Sequence, residues 1–274
     1  MIFLGHCPDS VGLVAKVSSF FADHDVNITD LEEHTEQNRF FLRIESDTKK
    51  NLKKIENDFC SLADEISMEF SFCHPKQKTR VVLFCSQTLH CPLEILSQQL
   101  SGASLIEIIT IISNSREFES IARRFDIPFF FTKTSVEKAG YEAEQIQILK
   151  DTSPDLVALG RYMKILSPQF LAECPSPIIN IHHSFLPSFV GGRPYEMAYE
   201  RGVKMVGATA HFVTKDLDEG PIIAQGVVPV RHTSSIETMK HAGANVEKSV
   251  FAEAIQKFSE RKIIEWQGRT VVFR

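Results

Sequence analysis

The stretch "PDLVALGRYMKILSPQFLAECPSPIINIHHS", residues 154–184, contains two short apolar runs with a polar, proline-bearing segment between them. Near-continuous apolar runs of this length are typical of parallel strands that are buried on both faces of a sheet. The second run passes directly into Asn180, His182 and His183. Open parallel sheets bind ligands beyond the carboxyl ends of their strands, so the stretch predicts such a sheet with a site at this edge.

The segments on either side continue the alternation of strand and helix from residue 80 onward. Candidate strands are "RVVLFCS", "SLIEIITIIS" and "IPFFFT", and candidate helices are "CPLEILSQQL", "SREFESIARRF" and "YEAEQIQILKD". Apolar residues at helical spacing predict a long helix over residues 236–258, and Gln267-Gly268 predicts the turn of a final hairpin. We therefore expect α/β architecture, with residues 80–274 forming a Rossmann-like, mostly parallel open-sheet domain.

The first 74 residues predict a smaller domain of a different type. The strand "IFLGHC" is followed by a helix, for which Asp9 or Ser10 is the predicted cap, and then by two strands, a second helix and the strand "ISMEFSFC". The second helix is marked by apolar residues at three- and four-residue steps: Leu52, Ile55, Phe59, Leu62 and Ile66. This order is the ferredoxin-like βαββαβ arrangement. Residues 75–79, polar and beginning with a proline, are the predicted linker.

The composition narrows the class of protein and of partner. The chain has 274 residues, 43% of them hydrophobic and 24% charged, as ordinary globular proteins have. A formal net charge of -5 without a basic run argues against nucleic acid or an anionic membrane and favours small-molecule partners. Six cysteines without a CxxC pair favour reduced thiols, and no apolar run approaches the roughly 18 residues that span a bilayer. The sequence thus predicts a cytoplasmic protein.

A second stretch, "GATAHFVTKDLDEGPIIAQ" at residues 207–225, adds a histidine and a carboxylate to the predicted site. His211 lies within its apolar part, and Asp218 lies in the turn that follows. Such a turn is often only a solvated hairpin, and its acids lack the regular ligand series of a calcium loop. Together with Asn180 and His182, however, Asp218 completes an amide, an imidazole and a carboxylate, the groups that acyl transfer at a formamide needs. No zinc-type spacing is present, and we expect no metal.

A resemblance to a known family is carried by "NIHHSFLPSFVGGRPYEMAY" and "GATAHFVTKDLDEGPII", with "LGRYMKILSPQFL" upstream. They resemble the transferases and hydrolases that use formyltetrahydrofolate, in which an Asn-x-His at a strand end acts with the aspartate of a Leu-Asp-x-Gly-Pro turn. The resemblance implies Asn180, His182 and Asp218 as catalytic residues. It implies a substrate-binding set made of Tyr162, Met163, Lys164, Ile165, Leu166, His90, His211 and Gly192. His183 and Arg193 receive no role from it.

The amino-terminal part, "CPDSVGLVAKVSSFFADHDVNITDLEEH", resembles an ACT domain. Such domains often bind amino acids, and the resemblance implies Asp9, Gly12, Asn27 and Ile28 as residues of a regulatory site. An ACT domain followed by a formyl-transfer domain is the arrangement of the formyltetrahydrofolate deformylases. The resemblance thus implies hydrolysis of 10-formyltetrahydrofolate to formate and tetrahydrofolate, supply of formate for purine synthesis, a homo-oligomer, and the folate as substrate without a separate cofactor.

The loop at residues 85–92, "CSQTLHCP", bears on the acceptor of the formyl group. It contains no glycine, whereas a loop that cradles a substrate phosphate with its backbone is rich in glycine. Water is therefore favoured as the acceptor. Two alternatives stay open: a formyltransferase that uses a phosphate-free amine, and a protein that only senses folate or an amino acid.

Overall fold

The computed structural model describes residues 1–48, 51–74, 77–134, 137–188 and 193–274. By packing, the chain forms two compact units. The first consists of Met1–Gln77, Glu260–Trp266 and Val271–Arg274, and the second of Lys78–Ser259 and Gln267–Thr270. Within the described ranges, no helix is both long enough and apolar enough to cross a membrane.

The first unit has the predicted βαββαβ order. Its elements are β1 (Ile2–Pro8), α1 (Leu13–Asp23), β2 (Ile28–Glu36), β3 (Arg39–Ser46), α2 (Leu52–Ile66) and β4 (Glu69–Cys73). The strands pair antiparallel in the order β2-β3-β1-β4. Aromatic side chains fill the space between sheet and helices: the ring centroids of Phe3 and Phe59 are 5.0 Å apart, and those of Phe59 and Phe70 are 4.9 Å apart. Edge-to-face contacts of this kind stabilise a small core beyond simple burial.

The predicted cap of α1 is wrong. The cap is Gly12 at φ +90°, and no side chain is hydrogen-bonded to the first turn of the helix. Asp9 and Ser10 lie too far upstream, because the chain makes a left-handed turn that glycine adopts without strain before the helix begins. The cap of α2 is a side chain: Asn51 accepts a hydrogen bond from the backbone N–H of Lys54 at 3.3 Å.

The carboxyl-terminal hairpin consists of β12 (Ile263–Trp266) and β13 (Arg269–Val272). Its predicted turn is confirmed, because Gln267 and Gly268 have φ of +48° and +72°, as a two-residue hairpin turn requires. Ile264 and Phe273 pack on Phe41 of β3. Phe41 lies on the opposite face of β3 from the core residues around Phe3, so the hairpin buries an aromatic ring that would otherwise face solvent. The hairpin thus packs with the first unit, whereas the sequence-based division assigns it to residues 80–274.

The second unit alternates strands and helices as predicted. Its elements are β5 (Thr79–Cys85), α3 (His90–Ser101), β6 (Ile106–Ser113), α4 (Glu119–Arg124), β7 (Phe129–Phe131), α5 (Lys138–Thr152), β8 (Leu156–Gly160), α6 (Pro168–Glu173), β9 (Ile178–His182), α7 (Pro194–Arg201), β10 (Met205–Phe212), β11 (Ile222–Pro229) and α8 (Ile236–Ser259). The strand order is β11-β10-β9-β8-β5-β6-β7. Strands β5 to β9 pair parallel, and β10 and β11 pair antiparallel, which confirms the mostly parallel sheet. The carboxyl ends of β8 and β9 lie side by side and carry the predicted site.

Candidate active site

Strand register brings Asn180, His182 and His211 to one place. Asn180 and His182 are two residues apart on β9, so they project from the same face of the sheet. His211 of β10 lies directly opposite Asn180, and residues in direct opposition share a face. As a result, Asn180 Nδ2 and His211 Nε2 are 3.3 Å apart. The antiparallel pairing of β10 with β9 therefore builds the first half of the site.

The turn between β10 and β11 supplies the carboxylate. Asp218 has φ +57°, a left-handed conformation that aspartate tolerates better than most residues. Its carboxylate oxygens lie 3.3 Å from His182 Nδ1 and 3.7 Å from His211 Nε2. Asn180, His182, His211 and Asp218 thus form one contiguous group, and three of them are the residues that the family resemblance implies as catalytic.

The contacts of the two histidines determine which nitrogens carry protons. His211 Nδ1 lies 2.8 Å from the carbonyl oxygen of Phe212, so this nitrogen donates. His211 Nε2 faces both the amide of Asn180, at 3.3 Å, and the carboxylate of Asp218, at 3.7 Å. His182 donates from Nδ1 to Asp218, while its Nε2 is buried without a hydrogen-bond partner in the described structure. His182 Nε2 is therefore the nitrogen that can face a substrate.

The charges of the site follow from the same contacts. Burial would raise the pKa of Asp218, but hydrogen bonds from His182 and His211 and their charges outweigh it and hold that pKa well below its usual range. Burial, together with the charges of Arg161 and His182, lowers the pKa of His183 to about 4. At neutral pH the site thus contains an ionised Asp218 and an uncharged His183.

Gly220 allows the turn to lie close against β10. A Cβ atom at this position would overlap the carbonyl oxygen of Phe212 and lie 3.3 Å from His211 Nδ1. Gly220, which precedes Pro221, thus lets the backbone of the turn lie against the backbone of β10 at Phe212, and any larger residue would prevent this contact. The approach keeps Asp218 within reach of both histidines.

We expect Gly220→Ala to destabilise the second unit by about 2 kcal/mol, because the turn must move away from β10. The activity of the site should fall with it, since Asp218 moves away from His182. The matched control is Gly140→Ala in α5, where an added Cβ meets nothing within 4 Å and should be neutral or slightly stabilising. Chemical unfolding with a parallel activity assay measures both effects. Equal stability of the two variants would contradict the proposed close approach.

A cavity of about 400 Å³ lies in front of this group. It is lined by the predicted residues Tyr162, Met163, Lys164, Ile165 and Leu166, and also by Asn180, His182, His211 and Asp218. The segment that follows β8 lies outside helices and strands, so its peptide groups are not paired in a helix or a sheet. The N–H of Met163 donates to Ser86 Oγ at 3.2 Å. Met163 and Ile165 have exposed fractions of 55% and 63%, which gives the mouth of the cavity an apolar rim.

Two residues of the predicted substrate-binding set are not among the lining residues that the structure describes. His90 does not line the cavity, because its Nε2 donates to Glu247 Oε2 of α8 at 2.8 Å. Gly192 lies outside the described residues, as does its neighbour Gly191. His183, which received no role, lines the cavity beside His182, with the two ring centroids 5.0 Å apart.

The sequence reasoning missed a cluster of side chains around the buried Glu247. We call it the Glu247 cluster, and it consists of Glu247, His90, Arg161 and Tyr195. Glu247 Oε2 also lies 3.3 Å from Arg161 Nε, and Oε1 accepts from the Tyr195 hydroxyl at 2.6 Å. Burial would raise the pKa of Glu247, but hydrogen bonds from His90 and Tyr195 and the charge of Arg161 lower it to about 2. A signal was present in the sequence, because Glu247 is spaced four residues from both Gly243 and Phe251, on the buried stripe of α8.

We expect Glu247→Gln to destabilise the second unit by about 3 kcal/mol at neutral pH, because Arg161 loses the anion that compensates its buried charge. The folded-state pKa of about 2 lies below the ordinary value of 4.5, so the carboxylate stabilises the fold above about pH 4.5 and this contribution is lost as the pH falls toward 2. The difference in the free energy of unfolding between Glu247→Gln and wild type should therefore shrink as the pH falls from about 4.5 toward 2.

Glu253→Gln is the matched control for Glu247 on the same helix. Glu253 has a 51% exposed side chain and pairs with Lys257 at 3.4 Å, so its loss should cost less than about 0.5 kcal/mol at any pH. Urea unfolding from pH 7 to pH 3 measures both variants. A Glu247→Gln protein with wild-type stability at pH 7 would contradict the compensating role of Glu247.

One group of potential metal ligands lies within the described residues, made of His90, Cys91 and Glu247. Burial raises the pKa of the Cys91 thiol well above its ordinary value, and the nearby charge of Glu247 raises it further. The Arg161 cation already lies against the same carboxylate. A protonated thiol and a neighbouring cation both disfavour a metal ion here.

The predicted regulatory residues are only partly brought together. Asp9 and Gly12 line a shallow pocket of about 550 Å³ in the first unit, with Glu33 and Thr35 of β2 on its other side. Asn27 and Ile28 do not line this pocket as described. Ile28 pairs with Ser46, whereas Thr35 pairs with Phe40, so Ile28 lies at the far end of the strand pair.

Comparisons with known proteins agree with both units. The profile of the formyl transferase family matches residues 79–255, and that of the ACT domain matches residues 1–64. The formyltetrahydrofolate deformylase of Bacillus subtilis is 40% identical, over 97% of this chain and 91% of the relative. That of Escherichia coli K12 is 38% identical, over 97% of this chain and 95% of the relative.

Solved structures give the same result. A formyltetrahydrofolate deformylase from Pseudomonas syringae superposes with a TM-score of 0.96 at 40% identity, covering 100% of this chain and 94% of that one. A glycinamide ribonucleotide transformylase from Symbiobacterium toebii superposes with a TM-score of 0.68 at 29% identity, covering 72% of this chain and 95% of that one. The chain therefore belongs to the formyl transferase family, and within it to the formyltetrahydrofolate deformylases that carry an amino-terminal ACT domain.

Proposed function

We propose that the chain hydrolyses 10-formyltetrahydrofolate to formate and tetrahydrofolate. The relatives that it matches over nearly their whole length are named as deformylases of this substrate. The observation that carries the proposal is the convergence of Asn180, His182 and Asp218 at one cavity, with His182 Nδ1 3.3 Å from the Asp218 carboxylate. These are a hydrogen-bond donor, a proton carrier and an anion, as hydrolysis of a formamide requires.

The cavity suits a folate in size and character. Its volume of about 400 Å³ falls in the range of small-molecule sites, and its walls include Leu166, Leu171 and Val213 beside the polar catalytic group. We propose that the pterin ring lies against the backbone of residues 162–166, whose peptide groups can hydrogen-bond to the ring edge. The formyl group then faces Asn180 and His182.

The proposed reaction needs only side chains and water. Water attacks the formyl carbon and forms a C–O bond while Asp218 takes its proton. The amide of Asn180 and protonated His182 donate hydrogen bonds to the oxyanion. The C–N10 bond then breaks as His182 gives its Nε2 proton to N10. The proton that Asp218 took from water passes to solvent, a solvent proton restores His182, and formic acid ionises to formate. His211 acts as a positioning residue, because it holds the amide of Asn180 at 3.3 Å. No bound cofactor takes part.

Asp218 must be ionised to accept a proton, yet a depressed pKa makes it a weak base. A bound folate would exclude water from the cavity and thereby raise the pKa of Asp218 toward the working pH. We expect the acid limb of kcat, which reports the complex, to lie at higher pH than the acid limb of kcat/KM, which reports the free protein. Steady-state rates between pH 3 and 8 test the order: kcat should fall toward the acid end of this range while kcat/KM stays closer to level, and Asp216→Asn is a control that should keep the order. The reverse order would contradict this role of substrate binding.

Formate release in buffer alone tests the proposed function. Purified protein with 10-formyltetrahydrofolate should release formate and tetrahydrofolate in equal amounts without any added amine. Release only when an amine is supplied would favour the transferase alternative. Binding of the folate without release of formate under either condition would favour a sensor. The intact group of Asn180, His182 and Asp218 supports turnover over sensing.

We further propose a regulatory and assembling role for the first unit. Asp9 and Gly12 border a pocket of a size that admits an amino acid, and ACT domains commonly associate with one another. Light scattering after size exclusion should give a mass above that of one chain, and a monomer at micromolar concentration would refute the assembly. All six cysteines are free thiols, which supports a reducing, cytoplasmic location, where the released formate would supply purine synthesis.

A further inference from the structure

Arg161 is a cation in the wall of the catalytic cavity, and the proposed reaction does not use it. It follows β8 directly, has φ +63° although it is not glycine, and exposes only 14% of its side chain. Lys164 and Lys215 line the same cavity, but both are exposed, so solvent screens their charges. Arg161 is therefore the least exposed of the arginine and lysine side chains among the described lining residues.

The anion that holds Arg161 lies behind it. Glu247 exposes 3% of its side chain and does not line the cavity as described, yet its Oε2 is 3.3 Å from Arg161 Nε. The other contacts of Glu247, to His90 and Tyr195, occupy both of its oxygens. The cavity therefore faces the cation of the pair, while the compensating anion is enclosed by protein.

A positive charge at this wall acts differently on the two kinds of acceptor. A water molecule that attacks the formyl carbon loses one proton to Asp218, and its oxygen becomes the hydroxyl group of formic acid, which is uncharged. An amine that attacks the formyl carbon forms a C–N bond and carries a positive charge until it loses a proton, and before attack much of it is an ammonium ion. A like charge nearby disfavours the charged form by about one to three pKa units, which is about ten- to a thousandfold in population.

We propose that Arg161, held in the cavity wall by Glu247, excludes amines from the acceptor position and so directs the formyl group to water. The inference rests on the proposed hydrolysis and assigns its acceptor specificity to one side chain. Repulsion of the wrong partner is a common source of specificity in binding sites. The proximity of Arg161 to the catalytic group is supported by His183, which lines the same cavity and feels the charges of both Arg161 and His182.

The test measures how the formyl group is partitioned. Full-length protein is incubated with 10-formyltetrahydrofolate and excess glycinamide, and both formate and N-formylglycinamide are quantified. Arg161→Met, which keeps bulk and removes charge, should raise the ratio of N-formylglycinamide to formate by about tenfold or more. Arg161→Lys keeps the charge and should stay within about threefold of wild type. If the methionine variant does not fold, Arg161→Met combined with Glu247→Gln, which also removes the buried anion, serves the same comparison.

The outcomes separate this inference from the proposed function. An unchanged ratio in an Arg161→Met protein that still releases formate would overturn the inference and leave hydrolysis standing. An equal rise in Arg161→Lys, or folded variants that yield neither product, would also overturn it, because an excluding charge is not required for turnover itself. Wild-type protein that releases no formate would overturn the proposed hydrolysis.

Discussion

Replacement of Asp218 by asparagine is expected to lower formate release from 10-formyltetrahydrofolate by about 1000-fold or more. The amide keeps the size of the side chain and a hydrogen-bonding oxygen, but it cannot take a proton from water. It also removes the negative charge that faces His182 Nδ1 across the 3.3 Å contact. The variant loses both the base for water and the anion beside His182, so we expect kcat to fall far more than KM rises.

Asp216→Asn is the control for Asp218. Asp216 belongs to the same turn, two residues away, but it is exposed and does not line the cavity as described. Its replacement should change formate release by less than about threefold, because an exposed charge at that distance acts weakly. Single-turnover assays of both variants at pH 7 would measure the loss. An Asp218→Asn protein within tenfold of wild type would rule out Asp218 as the base.

Replacement of His182 by asparagine is expected to cost about 1000-fold or more in kcat. The asparagine amide can occupy the position of Nδ1 and keep the hydrogen bond to Asp218, while the Nε2 atom is lost. In the described structure Nε2 is the buried nitrogen without a partner. The variant therefore removes the proton donor to N10 and one donor to the oxyanion, with the orientation of Asp218 retained.

His183→Asn is the matched control at the adjacent position. His183 lines the cavity, but its contact is with the ring of His182 and its pKa of about 4 keeps it uncharged. We expect a loss below about tenfold, since no proton transfer is assigned to it. If His183→Asn were as inactive as His182→Asn, the roles of the two histidines would need to be exchanged or shared.

Local chemistry explains how much of the fold could be predicted. The strands of the second unit were evident because each is a short apolar run, and the turn at Gln267-Gly268 was evident because few dipeptides adopt positive φ twice. The cap of α1 was not, because Asp9 and Ser10 are good caps in isolation and only the path of the chain shows that Gly12 precedes the helix. The packing of the hairpin on Phe41 brings together residues that are more than 200 positions apart in the sequence, and no local pattern predicts such a contact.

In the candidate site, too, local patterns indicated individual residues, whereas the contacts between them depend on tertiary structure. Asn180 and His182 could be found because a polar pair interrupts a buried strand at its carboxyl end, and Asp218 because its turn resembles a known motif. The contact of Asn180 with His211 depends on the register of β9 and β10, which the sequence leaves open. The ion pair of Arg161 and Glu247 depends on tertiary packing of α8 against the sheet, so neither residue could be paired with the other in advance.

The packing of the hairpin also has a consequence for biosynthesis. The ribosome produces β1 to β4 first, but Ile264 and Phe273, which cover Phe41, are translated only after the entire stretch 78–259. During that interval the ring of Phe41 is exposed on a nascent sheet, where it can attract chaperones or other unfinished chains. The first unit is thus begun early in translation and completed late, and its maturation depends on synthesis of the whole catalytic segment in between.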